Sequence, residues 1–281
     1  MGAKHKQVHG DDLIYRFLRD LFTETEGQYG EVPRALLAAT GVWFPPAVYE
    51  THPVLAPHVV RDPKCRGGKG HPDEWGSPDS AGFLRDDNSL IKGMPKSLSI
   101  IAPAQKHLNG RRMATEFVAA HVWRQCTDGG PLASRRPLLN SFVPNLVWLP
   151  SQIAKLTDVE GSLVQRTLQE MSWSLYRNAP VEDHLSDAVK EAWGLLPQPS
   201  GPAVGHDIDQ WNYFVPTPAF FTTRTRRIQT VVDAIDAVLS GGQPSGKVVT
   251  SRYTDGLPTV SPPTLIELRA FLARFCSVQT A

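Results

Sequence analysis

Apolar residues recur at helical spacing in several stretches of the chain. Behind Asp11-Asp12, whose charges suit a helix N-terminus, Leu13, Ile14, Phe17, Leu18, Leu21 and Phe22 mark one face of a predicted amphipathic helix over 11–22. A shorter helix is expected around Val32 to Ala39, ending at Gly41, since Trp43-Phe44-Pro45-Pro46 cannot continue it. Leu163, Val164, Leu168, Met171, Leu175 and Tyr176 predict a helix over 161–177, and a further one is expected over 183–196. Ile228 to Leu239, closed by Gly241-Gly242, and Thr264 to Phe275, after Pro262-Pro263, complete the helical set.

Two segments read differently. Residues 114–123, ending in Ala119-Ala120-His121-Val122-Trp123, form a short β-prone run, as do Leu146-Val147-Trp148-Leu149 between Pro144 and Pro150. A Gly/Pro/Arg/Ser-rich excursion joins these two predicted strands. Ser151 is placed to cap a helix directly after the second, with Ile153, Leu156 and Val159 inward. Residues 45–100 look mostly irregular, and between Arg61 and Lys96 they form either a long functional loop or a set of short strands and turns. The expected class is α+β, with a strand–loop–strand–helix core at 111–160 inside a mostly helical chain. Residues 1–110 would form a helical and loop-rich region able to recognise DNA, and 161–281 a helical scaffold that could dimerise.

Composition narrows the function little. The 281 residues carry 29 basic and 28 acidic side chains, so any affinity for nucleic acid must come from local clustering. Three widely spaced cysteines, with no C-x-x-C pair, argue against a disulfide framework or a structural zinc site. With no signal-peptide pattern and no long apolar run, the expectation is a cytoplasmic protein without membrane contact.

His121 ends the first predicted strand and Asn145 opens the second, 24 residues later. An imidazole titrates near neutrality and suits a general base that activates water. An asparagine at the mouth of such a loop can tie it down through donor and acceptor together, or lend a neutral oxygen to a metal. In these residues the stretch 114–160 resembles the HNH family of ββα-metal endonucleases, whose members often show an Ala-His-Ile-like strand end and later an Asn-Leu-Val-x-Leu strand entering a helix. The resemblance implies hydrolysis of a DNA phosphodiester, with His121 as base, Asn145 as the central asparagine and a divalent metal, Mg²⁺ by expectation, as cofactor. Where the family places a third His or Asn on the helix, this chain has Ile153-Ala154-Lys155, and Ala120 precedes the base. Substitute ligands are Gln152 and Asp158 on the helix and Glu116 on the strand, with Asn145 itself a fourth. Lys155 would act as an electrostatic stabiliser of the phosphate.

Arg111 and Arg112 before the first strand, Arg135 and Arg136 in the excursion, and Arg85 and Lys92 in the irregular region, with Arg61, Lys64, Arg66, Lys69 and Lys96 beside them if that loop enters a groove, are candidate DNA contacts. The expected partner is double-stranded DNA, cut in the manner of a type II restriction enzyme by a homodimer. Two alternatives stay open. One is a non-catalytic DNA-binding protein on a degenerate ββα fold. The other is a PD-(D/E)xK nuclease using Asp73 to Lys92, although Leu90-Ile91-Lys92 lacks the carboxylate that pattern places two residues before lysine. The run Trp211 to Phe214 through Phe220-Phe221 is expected in the core or at a subunit interface.

Overall fold

The computed structural model describes residues 7–14, 17, 32–66, 75–158, 160–199, 208–244 and 247–276. Its main sheet has seven strands, in the order β1-β6-β5-β9-β2-β8-β7. In chain order these are β1 (Gln7–Val8), β2 (Val42–Trp43), β5 (Ser99–Ile101), β6 (Arg112–Met113), β7 (Phe117–His121), β8 (Leu146–Pro150) and β9 (Asn212–Val215). A separate parallel pair is made by β3 (Val59–Arg61) and β4 (Leu84–Asp86). The fold is thus mixed α+β, and the main sheet draws strands from all along the chain.

The aromatic pattern explains why the central strands assemble. Trp148 on β8, Phe214 on β9 and Phe44 directly after β2 meet with ring centroids 5.1–5.4 Å apart. Phe220 joins at 5.5 Å from Phe44, so Trp211, Phe214 and Phe220 of the aromatic run expected in the core or at an interface are core, with Tyr213 and Phe221 partly buried against it. Edge-to-face pairs of this kind add to the stabilisation from buried area. Asn212, fully buried at the start of β9, donates from Nδ2 to the carbonyls of Ala38, Ala39 and Gly41. One amide thereby satisfies the orphan carbonyls at the end of the Val32–Thr40 helix and fixes that helix to the sheet.

The expected helices form with shifted ends. Residues 10–14 are helical, and the remainder of the helix expected over 11–22, apart from residue 17, lies outside the described residues. The helix at Leu163–Tyr176 starts behind Ser162, whose hydroxyl accepts from the Gln165 N–H at 3.2 Å. The helix expected from Ile228 begins ten residues earlier, at Pro218, because Thr217 caps the Phe220 N–H and proline suits the first turn. Ser151 does not cap the helix it opens (Ser151–Leu156). The cap position falls on Pro150, and the Ser151 N–H donates instead to the Glu116 carbonyl at 2.7 Å. Over its described residues, the irregular region takes the second of its two expected forms, short strands and turns with small helices at Pro46–Thr51 and Ser89–Gly93; residues 67–74 of it lie outside the described residues.

Strand, excursion, strand and helix follow in the predicted order at 117–156. β7 and β8 are antiparallel, with His121 opposite Leu146 and Phe117 opposite Pro150. The pair is not free-standing. β8 continues through β2 into the main sheet, and β7 is its last strand. None of the described helices is long and apolar enough to cross a membrane.

Candidate active site

An open edge strand exposes a row of unpaired backbone groups. At β7 this edge is occupied in part by Asn88, whose Nδ2 donates to the Ala119 carbonyl at 2.7 Å. Asn88 has φ 66°, a left-handed conformation that asparagine tolerates better than most residues, and it stands at the entrance of the Ser89–Gly93 helix. Asp86 caps that helix, accepting the Leu90 N–H at 2.8 Å and the Ser89 hydroxyl. The Trp148 indole donates to the Lys92 carbonyl at 3.4 Å and so anchors its far end to the sheet.

Between this helix and β3 on one side and β7 with the Ser151–Leu156 helix on the other lies a cleft of about 900 Å³. His121 lines it. So do Arg61, Arg66, Lys92, Arg124 and Lys155, and among the described residues the carboxylates facing them are Asp87 and Asp158. Asp87 is shared: the Arg61 Nε–H donates to one oxygen at 3.3 Å and the Arg66 Nε–H to the other at 2.6 Å. Arg124 donates to the main-chain carbonyl of Asp158.

The geometry around His121 fixes its chemistry. Nε2 lies 2.9 Å from the main-chain carbonyl of Asn140, which can only accept, so Nε2 carries the proton and Nδ1 keeps its lone pair. Burial, with the charge of Arg61 second, pushes the imidazole pKa down to about 4, while hydrogen bonding to Asn140 acts the other way. The ring is therefore neutral at neutral pH, with Nδ1 free to accept a proton but less basic than an ordinary imidazole. Asn140 itself is held by a bond from Nδ2 to the Val59 carbonyl at 2.9 Å, which ties β3 to the excursion.

Asn145 is fully buried. Its Oδ1 accepts the Trp123 N–H at 2.7 Å and its Nδ2 donates to the Leu139 carbonyl at 3.0 Å. Of the two tasks open to it, it performs the tying of the loop. With both ends engaged and no place in the cleft wall, it is not a metal ligand in this arrangement. The other proposed ligands separate. Asp158 lines the cleft, whereas Glu116 is exposed before the opposite end of β7 from His121 and Gln152 is exposed outside the cleft lining. A five-residue strand puts Glu116 and His121 about 16 Å apart along the backbone. Lys155 is in the cleft, as expected of a phosphate stabiliser.

Of the expected DNA contacts, Arg61, Arg66 and Lys92 of the irregular region line the cleft. Arg112 lies on β6, far across the sheet, with Arg111 beside it. Arg135 is exposed, and Arg136 is paired with Asp128 at 2.6 Å. Arg85 is engaged by Asp62 at 3.4 Å and by Ser77. Asp87 and Lys92, from the rival PD-(D/E)xK region, face the same cleft as His121, and Asp73 lies outside the described residues. Arg124 and the orienting carbonyl of Asn140 had no sequence signal, since a carbonyl is common to every residue and Arg124 stands alone.

A divalent cation such as Mg²⁺ takes hard oxygen donors, one or two of them carboxylates. Among the described residues no three His, Cys, Asp or Glu side chains cluster to hold one. In the cleft, both Asp87 oxygens are engaged by arginine, which leaves the Asp158 carboxylate and the neutral Oδ1 of Asn88, buried without a partner. Among the described residues, two such donors beside five cationic side chains do not fit a protein-held cation. Comparison of the chain with protein-family models, curated proteins and solved structures gave no match.

Proposed function

We propose that this protein is a nuclease of HNH-like design that hydrolyses phosphodiester bonds of double-stranded DNA at the His121 cleft. The observation that carries the reading is the pairing of a neutral, oriented imidazole with a cation-lined cleft. A polyanion would be drawn to the side chains of Arg61, Arg66, Lys92, Arg124 and Lys155. With its backbone seated there, the Nδ1 lone pair of His121 takes a proton from a water as that water's oxygen bonds to phosphorus. The bond from phosphorus to the leaving ester oxygen breaks, and that oxygen gains a proton from solvent. Fixed cations offset the charge that builds on the phosphoryl oxygens. Asn140 and Asn145 hold the base and its loop in place and touch no substrate. A sequence-specific, restriction-type action by a homodimer in the cytoplasm belongs to the same proposal.

Incubating supercoiled and linear duplex DNA with the wild type and with His121→Ala tests it. Nicking or linearisation is expected from the wild type, with a loss of about 10²–10⁴-fold on removing the base. Equal cleavage by His121→Ala ends the proposal. Duplex retardation without cleavage by either protein favours the binding-only reading, for which Ala120 and Ala154 in the cleft wall are the supporting observation.

A further inference from the structure

We infer that the phosphate charge at this cleft is offset by the guanidinium of Arg61, oriented by Asp87, in place of a divalent cation held by the protein. The inference rests on the nuclease reading for its substrate, and on the donor set of the cleft for its substance.

Arg61 is the last residue of β3, and its side chain is about two-thirds covered, at 34% exposure. Its Nε–H is spent on Asp87, and no contact among the described residues uses its two terminal nitrogens. A guanidinium held at Nε presents those nitrogens as a fork, the geometry that meets two phosphate oxygens at once. Asp87 cannot neutralise it, because the same carboxylate also serves Arg66. The three groups together carry a net positive charge. Arg61 is also near enough to His121 for its charge to depress the imidazole's basicity. Base and cation line the same cleft, where water attack would build charge on the phosphoryl oxygens. A preorganised cation there needs no reorganisation during the reaction.

Lys92, Arg124 and Lys155 extend the same field along the cleft, which suits a backbone and repels a free divalent ion. Asp87 serves as the positioning residue for Arg61, with neither oxygen left for a metal.

The test follows duplex cleavage in EDTA and in Mg²⁺, alongside titration of inorganic phosphate in EDTA while the His121 ring is observed by NMR. Both are run on wild type, Arg61→Ala and Arg61→Gln, the last keeping a donor for Asp87 without the charge. The expected result is cleavage that EDTA does not stop and that both variants reduce about 10²–10³-fold. Phosphate should shift the His121 resonances in the wild type and not in the variants. Strict dependence on Mg²⁺ overturns the inference and leaves the nuclease reading standing, as does EDTA-resistant cleavage that both Arg61 variants leave unchanged. If nothing is cleaved but phosphate shifts His121 only when Arg61 is present, the nuclease reading fails and the anion clamp stands. If nothing is cleaved and phosphate leaves the wild-type resonances in place, both fail.

Discussion

The imidazole of His121 and the main-chain carbonyl of Asn140 meet at 2.9 Å, which assigns the ring proton to Nε2 and the lone pair to Nδ1. Since burial and Arg61 hold the pKa down to about 4 from an ordinary 6.5, the base stays neutral well into the acid range. The rate of DNA cleavage should therefore stay level through pH 6 and fall only as pH approaches 4. Nitrogen chemical shifts of His121 should report the Nε2–H tautomer with a midpoint in the same region. In Arg61→Ala both midpoints should rise, because a neighbouring positive charge has been removed. An acid limb at the ordinary imidazole value in the wild type would contradict the assignment.

Asn145 makes its two bonds in full burial, so truncation leaves the Trp123 N–H and the Leu139 carbonyl without partners. Asn145→Ala is expected to cost about 2–6 kcal/mol in denaturant-induced unfolding, at roughly 1–3 kcal/mol for each stranded group. Asn145→Asp keeps the acceptor for Trp123 but turns a carboxylate toward the Leu139 carbonyl. It should also destabilise, and less so in acid, where the carboxyl can donate. A variant of wild-type stability would remove the loop-tying role.

Why some of this was legible in the sequence and some not follows from the range of the interactions. His121, Asn145 and the helix after Pro150 lie within one strand–loop–strand–helix unit, whose pairing is set by two apolar runs and the excursion between them. Local pattern suffices for that. The opposite wall of the cleft comes from Arg61, Asp87 and Asn88, some 30 to 60 residues upstream of His121 in a stretch that reads as turns, and only folding brings them there. Sequence could rank Lys155 as a phosphate contact from its place on the helix. It could not separate Asp158, which reaches the cleft, from Glu116, which stands at the other end of β7.

Acid should weaken the fold in a defined window. His52 and His58 are held down to about 3 and His121 to about 4, in each case chiefly by burial, against 6.5 when unfolded. Between pH 6.5 and 4 the unfolded chain binds protons that the native one refuses, so stability rises with pH by up to about 1.4 kcal/mol per unit for each ring. His58 is fully buried, with neither ring nitrogen bonded among the described residues. His58→Phe should therefore flatten the slope, with little loss of stability at neutral pH. Urea titrations at pH 7, 6 and 5 measure both effects, and an unchanged slope would refute the assignment.

Glu116 and Gln152 should be dispensable to the chemistry. Glu116→Gln and Gln152→Ala are expected to cleave DNA like the wild type, while Lys155→Ala binds duplex more weakly and loses about one unit from the log–log salt slope. The contrast follows from position, since only Lys155 of the three lines the cleft. A large loss of cleavage in Glu116→Gln would mean that the edge of β7 away from His121 also meets the substrate.

Asn88 combines a left-handed backbone with the bond that occupies the edge of β7, and two substitutions separate these contributions. Glycine adopts φ 66° without strain, so Asn88→Gly forfeits mainly the bond to the Ala119 carbonyl, about 1 kcal/mol. Alanine forfeits the bond and must also hold a conformation that costs a residue with Cβ about 1 kcal/mol or more. Asn88→Ala should thus unfold at lower denaturant than Asn88→Gly, with the wild type above both. Either variant also uncovers an acceptor on an edge strand, which invites pairing with another chain. Light scattering at rising concentration should show more self-association in both variants than in the wild type. If alanine and glycine prove equal in stability, the left-handed backbone at position 88 carries no cost, and the asparagine is there for its side chain alone.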